Sequence, residues 1–563
     1  MHGSGKICLL IAALSATSLF SAQQALAVDL AVQPVVVVIE GDAVPGVGNV
    51  TYVYNLVVNG NGRCYVEVDT DNPSTTIDGA IVMDSAATLY LQEGQAIVSP
   101  DPGTTIDTFD SMWLNLSGNL SHNFDLAGTP GGTLDNSTFY FNTNWVCQEG
   151  DPVLWPGANP GTVYKSSYET RLANNDLMLM LGSCDDPTLG GTFDYYFATY
   201  DPSTGAHTKL YMAGDPAPGT SLGEQFYNTT TSGSCFASTS DQFDFNNNGD
   251  LIFVGRLSGT TVTTANDYGI WLNNTLLVRE GDSLSWDPLR TWDYVSFAEV
   301  GINDNGDYVY HASFDGDTTT DYAIVKNGQK FKQEGDLFQG FPIYSFSSGR
   351  VDISNHGDVL WYCDTTDATS QDEFVCVNEK VLVQEGVTQV GNSTVTQLEG
   401  YSDTQRMSDD GRYYVIEVEL KDNTTLVEQE GAILIDRGPW EILGGEDAGS
   451  NGTPMLRGWG SLEPNAAATL DLMYAAPNSS AYVVVSLGAI NQSPFKCGTL
   501  VPDPSVGIGF VRGPLLTDAD GNLSWTANPN LPTGTSIWAQ YFIADAGACD
   551  GYAISNAIRG TAP

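Results

Sequence analysis

Short apolar strands alternate with polar turns along most of the chain, and three patterns recur in a fixed order. The first is an Asn/Asp-Gly turn that enters an apolar strand, as at Asn305-Gly306-Asp307. The second is an apolar strand that ends at Asn or Asp, and the third is an apolar strand that ends at Glu-Gly-Asp, as at Glu280-Gly281-Asp282. Glycine accepts the positive φ of a tight turn and Asn or Asp caps it, so these patterns predict antiparallel connections.

The patterns predict a closed ring because their copies are out of phase. Each occurs seven times between Pro34 and Asp436, but an unmatched third strand, residues 35–39, opens the series and the last unit lacks one. The first strand can complete the last unit and so cover a free sheet edge. We therefore expect a seven-bladed β-propeller over residues 28–437, closed by the N-terminal strand. An open array of hairpins or a parallel β-helix is the alternative.

The pattern changes after residue 437. Residues 438–454 are rich in Gly, Ser and Asn and predict a linker. Strict alternation of apolar and polar positions in residues 455–563 predicts a β-sandwich domain. The whole chain is expected to be all-β.

Composition narrows the choice of partners. The chain has 21 Lys and Arg against 68 Asp and Glu, a formal net charge of −47. This balance excludes nucleic acid as a partner, because phosphates would be repelled, and it favours cations or cationic partners. A content of 42% apolar and 10% aromatic residues excludes a disordered chain.

The N-terminus predicts export. Lys6 supplies a positive charge, residues 7–20 are apolar, and Ala25-Leu26-Ala27 is a small-residue cleavage site. We expect residues 1–27 to be a signal peptide cleaved after Ala27 and the protein to be secreted or held at the cell surface. No later stretch is long and apolar enough to form a transmembrane segment.

Cysteine usage agrees with export. Removal of Cys8 from nine cysteines leaves eight, an even number that favours disulfides. C-x-x-C spacing is missing from the sequence, which argues against zinc. The expected pairs are Cys497 with Cys549, Cys363 with Cys376, Cys184 with Cys235 and, by elimination, Cys64 with Cys147.

The turn-and-strand segments resemble the N-x-x-G-x-x-x-F tandem repeats of exported bacterial proteins that attach to surfaces through varied C-terminal anchors. The segments that carry the resemblance are Asn303 to Tyr310 and the Gln-Glu-Gly-Asp run at Gln333. The run from Gly449 to Ala557 is similar to a sandwich module at the ends of proteins secreted by environmental bacteria. Neither resemblance implies an established activity.

The Glu-Gly-Asp pattern raises the question of a shared acidic face. In a ring of equivalent units its carboxylates would lie near loops on one side and could bind Ca²⁺ or a cationic ligand. In the structural interpretation each Glu bonds backbone in its own unit and each Asp caps a turn. The candidates for the ligand face are Glu40, Asp42, Glu149, Asp151, Asp215, Glu280, Asp282, Glu334 and Asp336.

One segment matches the first half of a calcium-binding loop. Residues 244–250 place oxygen donors at alternate positions with glycine sixth, although Gly255 stands where a bidentate Glu is needed. Calcium is therefore a candidate ligand, and no other cofactor is expected. The donors are Asp244, Asn246, Asn248 and Asp250.

The sequence favours a non-enzymatic protein that binds an extracellular glycan, a matrix polymer or a cationic partner. One alternative is a secreted propeller enzyme that acts on polysaccharide through carboxylate acid/base chemistry. Another is a purely structural extracellular protein. Histidines are few and scattered, so no Ser-His-Asp triad is predicted.

Overall fold

The computed structural model describes residues 32–97, 101, 103–189, 193–221, 223–228, 235–236, 241–346, 350–398, 403–506 and 510–563. These ranges contain β-strands and no α-helix, which confirms the prediction of an all-β chain. The predicted signal peptide lies outside them, and no helix within them is long and apolar enough to cross a membrane. The short 3-10 helices are Gly132–Leu134, Val295–Phe297 and Cys549–Gly551.

Residues 43–436 form seven consecutive antiparallel sheets, which we number 1 to 7 in chain order. In sheets 1 to 4 the strands are Ala43–Val44, Gly48–Val58, Cys64–Thr70, Gly79–Met83 and Leu89–Gln92; Thr105–Leu114, Leu120–Ala127, Ser137–Phe141 and Asn144–Gln148; Val163–Leu172, Met178–Asp185, Asp194–Asp201 and Ala206–Met212; and Gln225–Phe226, Phe243–Phe245, Leu251–Ser258, Tyr268–Leu272 and Thr275–Arg279.

Sheets 5 to 7 repeat the arrangement, and the last of them also takes up the first strand of the chain. Their strands are Glu299–Ile302, Tyr308–Ser313, Tyr322–Lys326 and Gln329–Gln333; Leu337–Phe338, Phe341–Ser345, Asp352–Ile353, Val359–Thr365, Glu373–Val377 and Lys380–Gln384; and Gln389–Val390, Ser393–Leu398, Gln405–Met407, Tyr413–Asp422, Glu428–Asp436 and Val35–Ile39.

The first strand pairs antiparallel with Glu428–Asp436 of sheet 7, with Val38 opposite Ala432. The strand before each Asn/Asp-Gly turn, which we call the inner strand of its sheet, contacts the inner strand of the next sheet, and that of sheet 7 contacts that of sheet 1. The inner strands are Gly48–Val58, Thr105–Leu114, Val163–Leu172, Phe243–Phe245, Glu299–Ile302, Asp352–Ile353 and Gln405–Met407.

The apolar core is divided between the sheets. Seven clusters of buried side chains each join two consecutive sheets, and one of them joins sheet 7 to sheet 1 through Val38, Val53, Val66 and Val415. Each sheet therefore buries both faces against its neighbours, which explains the nearly continuous apolar runs in its central strands.

The recurrent turns share one backbone requirement. In six of the seven, a glycine takes positive φ, between 66° and 85°, as Gly249 does at 85°. The third turn lacks this glycine, and Asp176 takes its place at φ 68°. Asp is among the few residues that adopt this conformation at modest cost, so the turn survives the substitution.

Only one of the expected disulfides forms. Cys497 and Cys549 are bonded, as predicted. Cys184 and Cys235 lie on opposite faces of sheet 3, and Cys64 and Cys147 belong to different core clusters. Cys363 lies opposite Phe374 rather than Cys376 in the strand register. The prediction was wrong for these three pairs, whose six thiols are free and buried: Cys64, Cys147, Cys184, Cys235, Cys363 and Cys376.

The predicted linker is partly strand. Trp440–Gly444 pairs with Ala557–Thr561 near the end of the chain, so the C-terminal domain begins before residue 455 and the boundary was wrong. Two of its sheets pack on a shared apolar cluster, as a sandwich requires. Its strands are Trp440–Gly444, Met455–Trp459, Ala468–Met473, Ser480–Ser486, Ala489–Phe495, Gly498–Pro502, Phe510–Leu516, Leu523–Ala527, Ser536–Ala544, Tyr552–Ile554 and Ala557–Thr561.

A buried ion pair joins this domain to sheet 6. Arg457 Nε lies 2.8 Å from Asp358 Oδ1, and Arg437 Nη1 lies 3.3 Å from Asp358 Oδ2. Burial alone would raise the pKa of Asp358, but these two guanidinium groups lower it. Lys380 adds a second link, 3.0 Å from Asp471.

Replacing Val38 with aspartate should destabilise the protein by roughly 3–5 kcal/mol, because an unpaired carboxylate would enter the core between sheets 7 and 1. Val35 lies on the same strand but is 55% exposed, so Val35→Asp should cost much less. Chemical denaturation of both variants measures the difference. Equal losses would mean that the pairing of the first strand contributes little to stability.

Arg457→Ala should cost about 3–5 kcal/mol, because it leaves Asp358 buried with one guanidinium fewer. Arg559→Ala is the control, since Arg559 pairs with Glu441 at the surface and exposed pairs contribute about 0–1 kcal/mol. Urea denaturation checks both variants. A loss for Arg457→Ala no larger than for Arg559→Ala would contradict a role for Asp358 in joining the domains.

Candidate functional site

Charged residues recur on the inner strands at alternate positions before the turn. We count back from the first residue of each turn, which is Ala173, Asn246, Asn303, Ser354 or Ser408 in sheets 3 to 7. The charged residues two positions before it are Arg171, Asp244, Asp352 and Arg406. The charged residues four positions before it are Glu169, Glu299 and Arg350. Alternate residues of a strand point to the same side, so these side chains are expected to face the space between the inner strands. Together with Asp241 and Asp403, which precede two inner strands, they form what we call the inner cluster.

Ion pairs within the inner cluster cross from sheet to sheet. Arg350 Nη1 lies 2.9 Å from Asp241 Oδ1, which Arg406 Nη1 also approaches at 3.4 Å. Asp244 Oδ1 lies 3.7 Å from Arg350 Nη2 and 3.8 Å from Arg171 Nε. Sheets 3, 4, 6 and 7 are thus tied together at the centre of the ring of inner strands.

Trp113 of sheet 2 closes the inner cluster on one side. The guanidinium carbons of Arg171, Arg350 and Arg406 lie 4.4, 5.0 and 5.6 Å from the centre of its ring. These distances fit cation–π contact, in which the negative face of the indole attracts each cation. The indole therefore offsets part of the repulsion between three neighbouring positive charges.

The inner cluster holds more carboxyl groups than arginines. Burial, and then the negative charge of Asp403, raises the pKa of Glu169 well above its usual value, and burial followed by Asp241 does the same for Glu299. The Oε2 atoms of these two residues have no hydrogen-bond partner among the described residues.

A small cavity lies on the turn side of Trp113. It measures about 30 Å³ and is lined by Asp244, Asp352 and Asp409, among others. The turns around it are cross-linked: Asp409 Oδ2 accepts hydrogen bonds from the side-chain amides of Asn174 and Asn247. A space of this size holds a water molecule or two but no sugar or larger ligand.

Accessible carboxyl groups lie at the other side, where the inner strands begin. Packing around its carboxyl group, with Asp125 and Asp403 nearby, raises the pKa of Asp110 to about 7. Burial, and then Asp110, raises the pKa of Glu67 to about 8. Asp403 is 35% exposed and its Oδ1 lies 2.6 Å from Arg406 Nη2.

An amide network holds these groups in place. Asn55 Nδ2 donates to Glu67 Oε2 at 2.8 Å and to the backbone carbonyl of Asp110 at 2.9 Å. Asn123 Nδ2 donates to Asp110 Oδ2. The site thus combines a proton-bearing carboxyl group, Asp110, with an arginine-paired carboxylate, Asp403, and this combination suits acid/base chemistry.

The residues of the predicted calcium loop make hydrogen bonds and ion pairs within the protein. Asn246 Oδ1 accepts the backbone N–H groups of Asn248 and Asp250, and Asp250 Oδ1 accepts from Asn273 Nδ2. Asp244 turns instead to the arginines of the inner cluster. The donors of Asn246 and Asp250 therefore cap a turn, and calcium binding by Asp244, Asn246, Asn248 and Asp250 stays a prediction.

The carboxylates of the Glu-Gly-Asp pattern mostly bond backbone within their own sheets. Glu280 and Glu334 each accept an N–H at the start of the preceding strand, from Tyr268 and Tyr322. Asp42, Asp282 and Asp336 each accept the N–H three residues earlier, and Asp215 pairs with Lys209 at 2.9 Å. Within the described ranges the only cluster of metal-ligating side chains contains the bonded Cys497 and Cys549, with Asp447. The structural interpretation therefore accounts for six of the nine candidates: Asp42, Asp215, Glu280, Asp282, Glu334 and Asp336. Glu40, Glu149 and Asp151 stay candidates for a ligand face.

Sequence reasoning missed most of the inner cluster, although a signal was present. Arg350 and Asp352 alternate with Val351 and Ile353 in a segment that the repeat predicts to be a strand buried on both faces. Charges at alternate positions of such a strand indicate a polar interior between the units. Glu299 follows the same rule beside Ala298 and Val300.

The fold and this site define an all-β protein of repeated sheets whose inner strands enclose a buried cluster of charges. The chain belongs to the family described as "Family of unknown function (DUF7453)", whose model matches residues 1–324 and, in a second match, residues 223–393.

Individual relatives are more distant. Endo-1,4-beta-xylanase B from Penicillium oxalicum is 28% identical over 208 residues, which are 36% of this chain and 59% of that protein, so the chain spans about three fifths of this curated relative. A structure of a protein of unknown function from Dyadobacter fermentans is 11% identical, with a TM-score of 0.25, over 72% of this chain and 98% of that one. An engineered GH43 glycoside hydrolase is 9% identical, with a TM-score of 0.20, over 82% and 97%. Scores this low carry no argument.

Stability should fall as pH rises from about 6 to 8. Burial raises the pKa of Glu67 to about 8. It raises the pKa to about 7 for five other acids: Glu93, Asp110, Glu280, Glu334 and Glu385. The stability that these groups contribute is fully present below their usual pKa and is lost as pH rises through 7–8. Burial lowers the pKa of His122, His207 and His311 to about 4, which costs stability only below pH 6.5.

Melting temperatures at constant ionic strength measure this dependence. The six acids lower the stability as pH rises from 6 to 8, whereas the three histidines do not change it above pH 6.5. The acids therefore determine the direction of the change in melting temperature. Glu280→Gln should flatten the curve, because it removes one of the six groups. A melting temperature that rises between pH 6 and 8 would contradict the shifts.

Proposed function

We propose that the protein is a secreted enzyme with a closed seven-bladed β-propeller that cleaves a neutral glycan by carboxylate acid/base chemistry. Each of the seven sheets is one blade in this proposal. The pairing of Val35–Ile39 with Glu428–Asp436 and the contact between the inner strands of sheets 7 and 1 support the closure. The signal peptide expected at residues 1–27 and the Cys497–Cys549 disulfide support secretion.

The proposal rests on the different surroundings of the Asp110 and Asp403 carboxyl groups. Asp110, with a pKa raised to about 7, holds a proton that it can donate to a glycosidic oxygen. Asp403, whose Oδ1 lies 2.6 Å from Arg406 Nη2, can activate water or attack the sugar. Two carboxyl groups with such different surroundings are what the cleavage of a glycosidic bond requires.

Charge indicates a neutral substrate. A protein with a formal net charge of −47 repels a polyuronate or a sulfated glycan at long range. The arginines cannot reverse this locally, because more carboxyl groups than arginines lie in the inner cluster. The partial match to a protein named as a xylanase supports the choice of a glycan substrate.

The sequence alone favours a binding or adhesion protein without catalysis, with a glycan, a matrix polymer or a cationic partner as its ligand. The presence of a proton donor, Asp110, together with an arginine-bound carboxyl group, Asp403, supports the enzyme alternative instead. Binding a neutral sugar needs neither a raised pKa nor a carboxyl group fixed by an arginine. Binding without cleavage would restore the first interpretation.

Asp110→Asn and Asp403→Asn should each lower the rate of glycan cleavage by about 10²–10⁴-fold, because each removes one partner of the proton transfer. Asp107→Asn is a matched control on the strand of Asp110 and should leave the rate unchanged. The measurement is release of reducing ends from xylan, β-glucan, mannan and polygalacturonate. Preference for polygalacturonate, no cleavage at all, or full activity of both variants would contradict the proposal.

A further inference from the structure

Three consecutive inner strands carry a β-bulge near the same position. The register shifts between Val53 and Leu56 in sheet 1, between Phe109 and Ser111 in sheet 2, and between Ser167 and Glu169 in sheet 3. The residues inside the shifts include Tyr54, Asp110 and Tyr168, each five residues before the first residue of its turn. A bulge re-aims a side chain that regular alternation would direct elsewhere.

Side-chain amides join the three bulges into one surface. Asn55 of sheet 1 donates to the backbone carbonyl of Asp110 at 2.9 Å, and Asn123 of sheet 2 donates to the backbone carbonyl of Tyr168 at 3.2 Å. The bulges of sheets 2 and 3 thus each accept a hydrogen bond from a side-chain amide of the preceding sheet. We call Tyr54, Asp110 and Tyr168 the bulge arc.

Both tyrosines of the bulge arc are held in place. Tyr54 is 39% exposed, and its hydroxyl donates to Asp69 Oδ2 at 2.9 Å. Its ring lies 4.6 Å from that of Tyr52, which is 44% exposed. Tyr168 is half-buried and stacks on Tyr195 at 4.8 Å with an interplanar angle of 12°. Rings fixed before binding lose little entropy when a ligand packs on them.

We infer that the bulge arc is a glycan-binding groove in which Tyr54 and Tyr168 stack on sugar rings on either side of Asp110. The inference rests on the proposed function, since it supplies the subsites for the same carboxyl group. A sugar ring has an apolar face for an aromatic side chain and hydroxyl groups that donate to neighbouring carboxyl oxygens, here those of Glu67 and Asp69. The formal net charge of −47 would repel an acidic sugar, so the ligand is a chain of neutral sugars.

A buried carboxyl group lies beside the arc. Glu169 directly follows Tyr168, is 8% exposed, and its Oε2 atom lies 3.7 Å from Arg171 Nη1 of the inner cluster. It lies within electrostatic range of both Asp110 and Asp403. Sugars on both sides of Asp110 imply cleavage inside a chain rather than at its end.

Binding of neutral oligosaccharides to an inactive variant tests the groove. Calorimetry would use Asp110→Asn, with xylohexaose, cellohexaose and mannohexaose as probes. Adding Tyr54→Ala or Tyr168→Ala to this variant should weaken binding roughly tenfold, because each removes an aromatic anchor. Tyr54→Phe keeps the ring and should bind nearly as well. Tyr294→Ala, which changes an aromatic residue 55% exposed before sheet 5, is the control.

The outcomes separate the groove from the enzyme. Tyrosine-dependent binding together with chain-internal cleavage by the unmodified protein supports both. The same binding without any cleavage keeps the groove and overturns the proposed function. Unchanged affinity of folded Tyr54→Ala and Tyr168→Ala variants, or no binding of any neutral probe, overturns the groove; melting temperatures establish that the variants fold.

Discussion

The antiparallel pairing of Val35–Ile39 with Glu428–Asp436 is the contact on which the rest of the structure depends. It covers the edge of sheet 7, and the core cluster it shares with sheet 1 brings the two ends of the repeat together. Glu430 strengthens this junction, because its Oε1 atom accepts the N–H of Val53 at 2.7 Å. Asp403 of sheet 7 can lie near Asp110 of sheet 2 only because sheets 7 and 1 are neighbours. The candidate site therefore depends on the contact between the inner strands of sheets 7 and 1.

The inner cluster is costly to bury, and its charges are only partly compensated. Hydrophobic residues of similar volume would often be as stable as buried ion pairs, so a cluster of this size needs a reason beyond stability. Trp113 and the inter-sheet pairs hold the arginines, and Arg406 in turn fixes Asp403 where solvent can reach it. The buried charges thus position the accessible ones, and burial, with the neighbouring acids, raises the pKa of Glu169 and Glu299.

Local chemistry made the sheets predictable, whereas contacts between distant residues did not. The turns follow from residues that accept positive φ, and even the third turn, with Asp176 for glycine, obeys that rule. Cys184 and Cys235 look like a pair along the chain, but sheet 3 lies between them. Trp440–Gly444 looked like linker because its strand partner is near the end of the chain, at Ala557–Thr561. The site residues could not be predicted for the same reason, because Asp110 and Asp403 are far apart in the sequence and come near each other only in the folded protein.

The β-bulges explain why sheets 1 to 3 place their side chains differently from the other sheets of the repeat. In sheets 1 to 3 the register shift moves Tyr54, Asp110 and Tyr168 out of the regular alternation. In sheet 5 the inner strand pairs without a shift, and its acid, Glu299, stays buried against the arginines. The register shift at this position therefore distinguishes the exposed Asp110 from the buried Glu299. The repeated sheets form the scaffold, and the register shifts at equivalent positions of sheets 1 to 3 form the candidate site.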